Sequence, residues 1–146
     1  IMSLQNPLEK MGKSDANENA SVKILDEPDV IMRKFKRAVT DSEAKIYFGD
    51  SQEKAGINNL MTIYSAVTGL SLEQIEKDFD GKGYGDFKVA VAEAVIEELR
   101  PVRERFNELM SDKGQLEAMY KNGAEQASYL ARKTLSKVKR KVGFVK

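Results

Sequence analysis

From Ile57 to Val142, apolar residues return every three or four positions, and that period admits little besides amphipathic helices. Ile57, Leu60, Met61, Tyr64 and Val67 form one stripe, with Gly69 as a natural stop. Ser71 opens the next helix, over residues 72–79. Gln74 three positions on completes a capping box, and Leu70 and Ile75 are spaced for a hydrophobic staple. The cluster Gly81-Lys82-Gly83-Tyr84-Gly85 invites comparison with a phosphate cradle, but no strand precedes it, so it reads as a tight interhelical turn. From Asp86 the longest helix follows the stripe Phe87, Val91, Val95, Leu99, Val102, Phe106 and Leu109. Pro101 lies inside it and removes one backbone bond, kinking rather than ending a stripe that continues past it. A shorter helix over about 115–121 is expected to stop at Asn122-Gly123. A last one carries Ala127, Ala131, Leu135, Val138 and Val142 and closes at Gly143. Each helix has its own apolar face, and no stripe looks orphaned.

The N-terminal part is less periodic. Ile1-Met2-Ser3-Leu4 reads as extended, Pro7 as part of a turn, and residues 13–25 as polar and irregular, with 14–19 a flexible loop. A helix follows Leu25: Asp26 can cap it, Pro28 sits where a missing N–H is harmless, and Asp29 suits the positive end. Its stripe is Ile31, Phe35, Ala38 and Val39, and its end is expected near 40–42. Residues 43–54 read as loop, with room for a short strand at 45–48. The expected architecture is all-α: a helical bundle preceded by an extended, loop-bearing segment. Residues 1–25 should be its least ordered part.

Composition excludes several chemistries. The 146 residues contain no Cys and no His, which removes thiol nucleophiles, imidazole bases, Ser-His-Asp triads and the common zinc sites. Lys+Arg 24 against Asp+Glu 23 leaves no global bias toward polyanions. No apolar run reaches the roughly 18–20 residues of a membrane span, and the start is no signal peptide, so a soluble chain is expected. The sequence opens mid-pattern on Ile1, as if cut from something longer.

Charged clusters remain. Lys10 and Lys13 flank Gly12 on a short polar segment, an arrangement suited to polyphosphate but, taken alone, usually a plain solvated surface. Arg132, Lys133, Lys137, Lys139, Arg140, Lys141 and Lys146 are free of interspersed acids, which fits either phosphate contact or a solvated helix end favoured by the dipole. The cluster Arg33/Lys34/Lys36/Arg37 is balanced by acids on both sides and reads as a solvated face. Asp78, Asp80 and Asp86 lack calcium-loop spacing and read as loop and cap residues. Tyr47, Tyr84, Tyr120 and Tyr129 can stack on bases, whereas Tyr64 lies on an apolar stripe.

The segment Lys10-Met11-Gly12-Lys13-Ser14-Asp15 resembles the K-M-S-K-S loop of class I aminoacyl-tRNA synthetases. Together with Ile1-Met2-Ser3-Leu4, Ala38-Val39-Thr40-Asp41-Ser42, Gly56-Ile57-Asn58-Asn59-Leu60, Gly81-Lys82-Gly83-Tyr84-Gly85-Asp86-Phe87-Lys88, Leu99-Arg100-Pro101-Val102 and Gly123-Ala124, it resembles the bacterial-type tryptophanyl branch over nearly the whole chain. The resemblance implies an enzyme that activates tryptophan with ATP and Mg2+ and charges its tRNA, cytoplasmic and homodimeric at full length. The Rossmann half would precede Ile1. Residues 1–25 would end the catalytic domain, and 26–146 would form a helical tRNA-binding domain. Lys10, Lys13 and Ser14 would be catalytic. They would share the ATP site with Met11, Gly12 and the backbone of Ile1 and Met2 at the adenine. Gly12 departs from the family's serine, losing a hydroxyl and gaining backbone freedom. Arg132, Lys133, Lys137, Arg140 and Lys141 would meet tRNA. Alone, the chain is expected to be inactive; the alternative is a non-catalytic tRNA-binding module, and a third reading is a structural domain whose loop lysines touch nothing.

Overall fold

The computed structural model describes residues 1–144, so Lys146 lies outside the described residues. Among them, five α-helices follow one another: α1 (Pro28–Lys36), α2 (Ala55–Thr68), α3 (Leu72–Asp78), α4 (Tyr84–Ser111) and α5 (Lys113–Val142), with a 3-10 turn at Gln52–Lys54 ahead of α2. The expectation of an all-α chain holds: the described residues include no strand, only a single antiparallel bridge, Met2 to Lys10. The chain forms two compact units, Ile1–Arg103 and Glu104–Lys146. Residues 1–25 lie within the first.

The first unit is built on the stripes read above. Ile31 and Phe35 of α1, Ile57, Leu60 and Met61 of α2, Ile75 of α3, and Phe87 and Val91 of α4 are essentially without solvent contact. Tyr64, Phe79 and Phe87 meet edge to face with ring centroids 4.8–5.7 Å apart, a geometry that aligns positive ring edges with negative faces. Gly69, at φ 76°, closes α2 in the left-handed conformation expected of a helix-terminating glycine. Ser71 caps α3 by accepting from the Gln74 N–H. The reciprocal half of the box is absent, because the Gln74 amide bonds Asp78 instead. Helix α4 runs through Pro101 as expected and starts at Tyr84, two residues early.

Helix α1 ends at Lys36 rather than near residue 40. Tertiary bonds pull the next residues away from helical geometry: Val39 N–H donates to Leu4 O at 2.8 Å, and Lys88 Nζ donates to Ala38 O at 2.7 Å. Val39 is consequently exposed rather than on the apolar face. Asp26 does not cap α1; its carboxylate takes the Lys34 ammonium and the Lys23 N–H. Lys34 is therefore buried, not part of a solvated cluster. The expected stop at Asn122-Gly123 is absent, and α5 is continuous from Lys113 to Val142. One glycine costs about 1 kcal/mol in a helix, and the strong helix formers around it outweigh that. The Lys121–Glu117 ion pair and the Gln126–Asn122 bond also lie along this stretch. The α5 stripe is orphaned after all, since none of the helix's residues is buried.

Segment 38–40 lies so close to the start of α2 that a Cβ on residue 56 would stand 2.2 Å from the Val39 carbonyl oxygen. Gly56→Ala should therefore cost about 1–3 kcal/mol through forced repacking. The effect should appear as a lower urea midpoint at unchanged m-value.

A buried polar cluster fixes loop 41–49. Lys54, 4 % exposed, donates to Asp41, Glu43, Lys45 O and Tyr84 Oη, and the Tyr84 hydroxyl donates to Asp41. Burial opposes the Lys54 charge, but its bonds to Glu43 and Tyr84 outweigh this and hold its pKa above the usual lysine range. Burial and the bond to Asp41 push Tyr84 up to about 12. For Asp41, burial acts upward, but the bonds from Tyr84 and the Glu43 N–H, with Lys54, bring it below the usual 3.8. By linkage, the Asp41 contribution to stability is present above about pH 4 and fades as pH falls through its depressed native value. The Tyr84 contribution is complete below 10.0 and lost as pH rises to about 12. Tyr84→Phe should cost about 1 kcal/mol at neutral pH. It should also flatten the decline between pH 10.0 and about 12, as measured by chemical denaturation across that range.

Candidate functional site

The segment carrying Lys10 and Lys13 has a gripped root and a free tip. Ile1–Leu4 runs antiparallel to residues 9–11, with Ser3 N–H donating to Glu9 O at 2.8 Å and Met11 N–H to Ile1 O at 3.3 Å. The connection is closed by Ser3 Oγ, which accepts from the Gln5 and Asn6 N–H groups. Leu4 N–H donates to Ala20 O and Leu4 O accepts from Val39, while the Leu4 side chain, 2 % exposed, sits in the same core as Phe35 and Ile57. The segment thus leans on the helices of its own unit. From α2, Asn59 bonds both backbone groups of Met2, its Oδ1 accepting from the N–H and its Nδ2 donating to the carbonyl, each at 2.8 Å.

Beyond Met11 the bonding becomes local. Asp15 N–H reaches Gly12 O at 3.4 Å, and Asp15 and Asn17 each accept from the N–H two residues on. These are self-contained turns that hold a loop's shape without fastening it to the helices. Lys10, Lys13 and Ser14 are exposed, and Met11 and Gly12 are half-buried. Ile1 is exposed and Met2 half-buried. No described residue forms a hydrogen bond or ion pair with either ammonium. A Cβ on Gly12 would meet nothing within 4 Å, so a serine fits there without moving the backbone. Beside the loop lies an open depression of about 520 Å³, lined by Met11, Lys13, Ser21, Val22, Lys23, Ile24 and Leu25. Burial lowers the pKa of the Lys88 ammonium, whose hydrogen bond goes to Ala38 O. Among the described residues, no group of three or more acids could hold a metal. Asp15, the acid of the loop, accepts from the Asn17 N–H and belongs to no such group, so these residues do not by themselves assemble a magnesium site.

In the second unit, Arg132, Lys133, Lys137, Lys139, Arg140 and Lys141 are all exposed on α5, and none has an ion-pair partner among the described residues. At about 100° per residue, Lys133, Lys137, Arg140 and Lys141 share one face. Arg132 and Lys139 continue that face on the side away from the apolar stripe, so the cations form one polar arc around the helix. No helix among the described residues is long and apolar enough to cross a membrane.

Sequence reasoning passed over three residues. Asn59 was visible only as part of a motif, although it lies on the buried face of α2 with Gly56, Leu60 and Ile63. Lys54 precedes Ile57 and Met61 at helical spacing, and a charge in register with a buried stripe signals a buried pair. For Lys88, adjacent to Phe87, no comparable signal exists.

The hairpin, the loop and the first four helices agree with the sequence model of the class I tRNA synthetases (W and Y), which matches residues 1–100. The chain belongs to this family. Over its whole length the chain is similar to the tryptophan branch. The tryptophan–tRNA ligase of Clostridium acetobutylicum is 50% identical over 145 residues, which is 99% of this chain and 43% of that relative. Tryptophanyl-tRNA synthetase from Mycoplasma pneumoniae has the same fold at TM-score 0.74 and 30% identity, covering 100% of this chain and 46% of that one. The Campylobacter jejuni enzyme, solved with ADP and tryptophan, agrees at TM-score 0.73 and 23% identity, with 99% and 44% covered. The chain therefore spans less than half the length of the relatives it matches.

Proposed function

We propose that this chain supplies the ATP-handling loop and the tRNA-binding helices of a tryptophan–tRNA ligase. The observation that carries the reading is the pair of unpartnered ammonium groups, Lys10 and Lys13, on a loop fixed at its root and free at its tip. In the activation step the tryptophan carboxylate attacks the α-phosphorus of ATP and the bond to pyrophosphate breaks. Negative charge then builds on the leaving group. Lys10 and Lys13 meet that charge, Ser14 donates a hydroxyl hydrogen, and the Ile1 backbone receives the adenine; the Met2 N–H and C=O are already bonded to Asn59 and hold the segment instead. Met11 and Gly12 shape the loop between the two cations. A loop that closes more tightly as charge develops stabilises the transition state over the ground state, which raises the rate. Magnesium, where present, would arrive on the ATP phosphates, as is usual for this ion; no residue of this chain is assigned to it. A ribose hydroxyl of tRNA then attacks the carbonyl of the tryptophanyl adenylate, forming the ester as the bond to AMP breaks and AMP leaves. Residues 1–25 complete the catalytic site, and residues 26–146 face the tRNA. The full-length enzyme is a cytoplasmic homodimer in this reading, and the chain alone does not catalyse.

The test is a chimera in which this chain replaces the matching 43% of the Clostridium acetobutylicum ligase. Lys13→Ala should slow tryptophan activation in single-turnover kinetics by about 10²–10³-fold, the loss expected from one preorganised charge stabiliser. ATP affinity should change much less. Lys10→Ala should follow with a smaller loss, and Gly12→Ser should keep or modestly raise the rate. A weaker ATP dissociation constant with an unchanged chemical step in Lys13→Ala would make Lys13 a ground-state binder and overturn the mechanism.

The unpaired cations of α5 favour a separable role in tRNA binding. Reversing Lys137 and Arg140 to glutamate should weaken tRNA binding by this chain and reduce its salt slope by about one unit per lost phosphate contact. An unchanged slope returns these residues, with Arg132, Lys133 and Lys141, to a solvated helix end.

A further inference from the structure

The bridge between Met2 and Lys10 is of the kind in which the two residues' own backbone groups point away from each other, because the flanking bonds run Ser3 to Glu9 and Met11 to Ile1. The N–H and C=O of Met2 are thus turned to the outer edge of the hairpin, where a third strand would take them. Among the described residues no third strand is present there. Asn59 takes both, with two bonds of 2.8 Å from a side chain only 6 % exposed. Asparagine is suited to this because its amide carries one acceptor and one donor group side by side, as a peptide does. An aspartate of the same size offers two acceptors and would set a charge against the Met2 carbonyl. The position of α2 is itself fixed against the segment: Gly56 lets the Val39 backbone approach, and Val39 N–H bonds Leu4 O two residues beyond Met2.

We propose that Asn59 is a positioning residue for the ATP-handling loop: its amide substitutes for a third strand and fixes the register in which Lys10, and Lys13 beyond it, are presented. The inference rests on the reading of that loop given above. Asn59 touches no substrate; it acts through Met2 on the strand that Lys10 pairs with.

Two measurements test it. In this chain, Asn59→Ala and the isosteric Asn59→Asp should both accelerate amide exchange at Met2 and Met11, while amides of the α4 core, such as Val91, stay protected. In the chimera, both variants should lower kcat for tryptophan activation by about 10–100-fold, the range seen when a supporting hydrogen bond behind a working group is lost. KM for ATP should move far less. The loss should also fail to add to that of Lys10→Ala and Lys13→Ala combined, because misplaced lysines and missing ones are the same defect. If Lys13→Ala is slow while Asn59→Asp retains full speed, or if the two losses multiply, the role of Asn59 is overturned and the loop reading stands. If Lys13→Ala itself leaves the chemical step unchanged, the loop reading fails and this inference fails with it. Loss of protection throughout α4 in both variants would make Asn59 a general structural residue and also overturn the proposal.

Discussion

The first unit depends on a peptide carbonyl lying against a glycine. Because position 56 has no Cβ, the backbone of residues 38–40 can rest on the first turn of α2 with the Val39 oxygen where a methyl group would otherwise be. Several consequences follow from that contact. Helix α1 must stop at Lys36 so that the chain can turn there. Val39 N–H becomes available to Leu4, and the Ala38 carbonyl to Lys88. The extended N-terminal segment is thereby drawn down onto α2, within reach of Asn59. A methyl group added at one position would push on all of these bonds together.

The loop's electrostatics complement this mechanical arrangement. The unit satisfies its buried charges internally: Lys34 has Asp26 and Ser21 O, and Lys54 has Asp41, Glu43 and Tyr84. Lys10 and Lys13 are left without partners on the exposed loop, so no internal ion pair must break before they meet an incoming anion. The near-neutral sum of 24 cations and 23 acids hides this division. Cations held by the fold and cations left for a ligand count equally in a net charge.

Much of this was legible in the sequence where one local rule acted alone. The buried stripe of α2 and the first half of that of α4 follow directly from spacing, while Val102 and Phe106 farther along α4 are exposed; Gly69 and Ser71 mark ends by backbone and capping chemistry, and the loop was recognisable from the resemblance of residues 10–15. What sequence did not reveal arose where tertiary contacts override local preference. Nothing near Lys36 announces a helix end, because the partners that impose it lie at Leu4 and Lys88. Lys34 looks solvated until Asp26 is brought to it by the fold, and the partners of Lys54, in register with a buried stripe, are set by tertiary contact. At Gly123 the error was the reverse: a residue that often ends helices was given more weight than its neighbours' propensity. The α5 stripe was read correctly as apolar and wrongly as covered, since periodicity records which face is apolar and not what lies against it. In the candidate loop, residue types were legible and their support was not, because Asn59 is distant in sequence from the residue it holds.

The hairpin at Met2 also bears on how the molecule behaves at high concentration. An extended segment with an open edge offers its unpaired N–H and C=O groups to any other chain that can align with them, which is how sheets recruit strangers and begin to aggregate. At Met2 that edge is closed by a single side chain projecting from a helix. A side-chain amide can form the two bonds of one ladder position but cannot propagate them, since it has no neighbouring residue to extend the row. At Met2 the row is thereby closed, with both backbone groups of that residue satisfied.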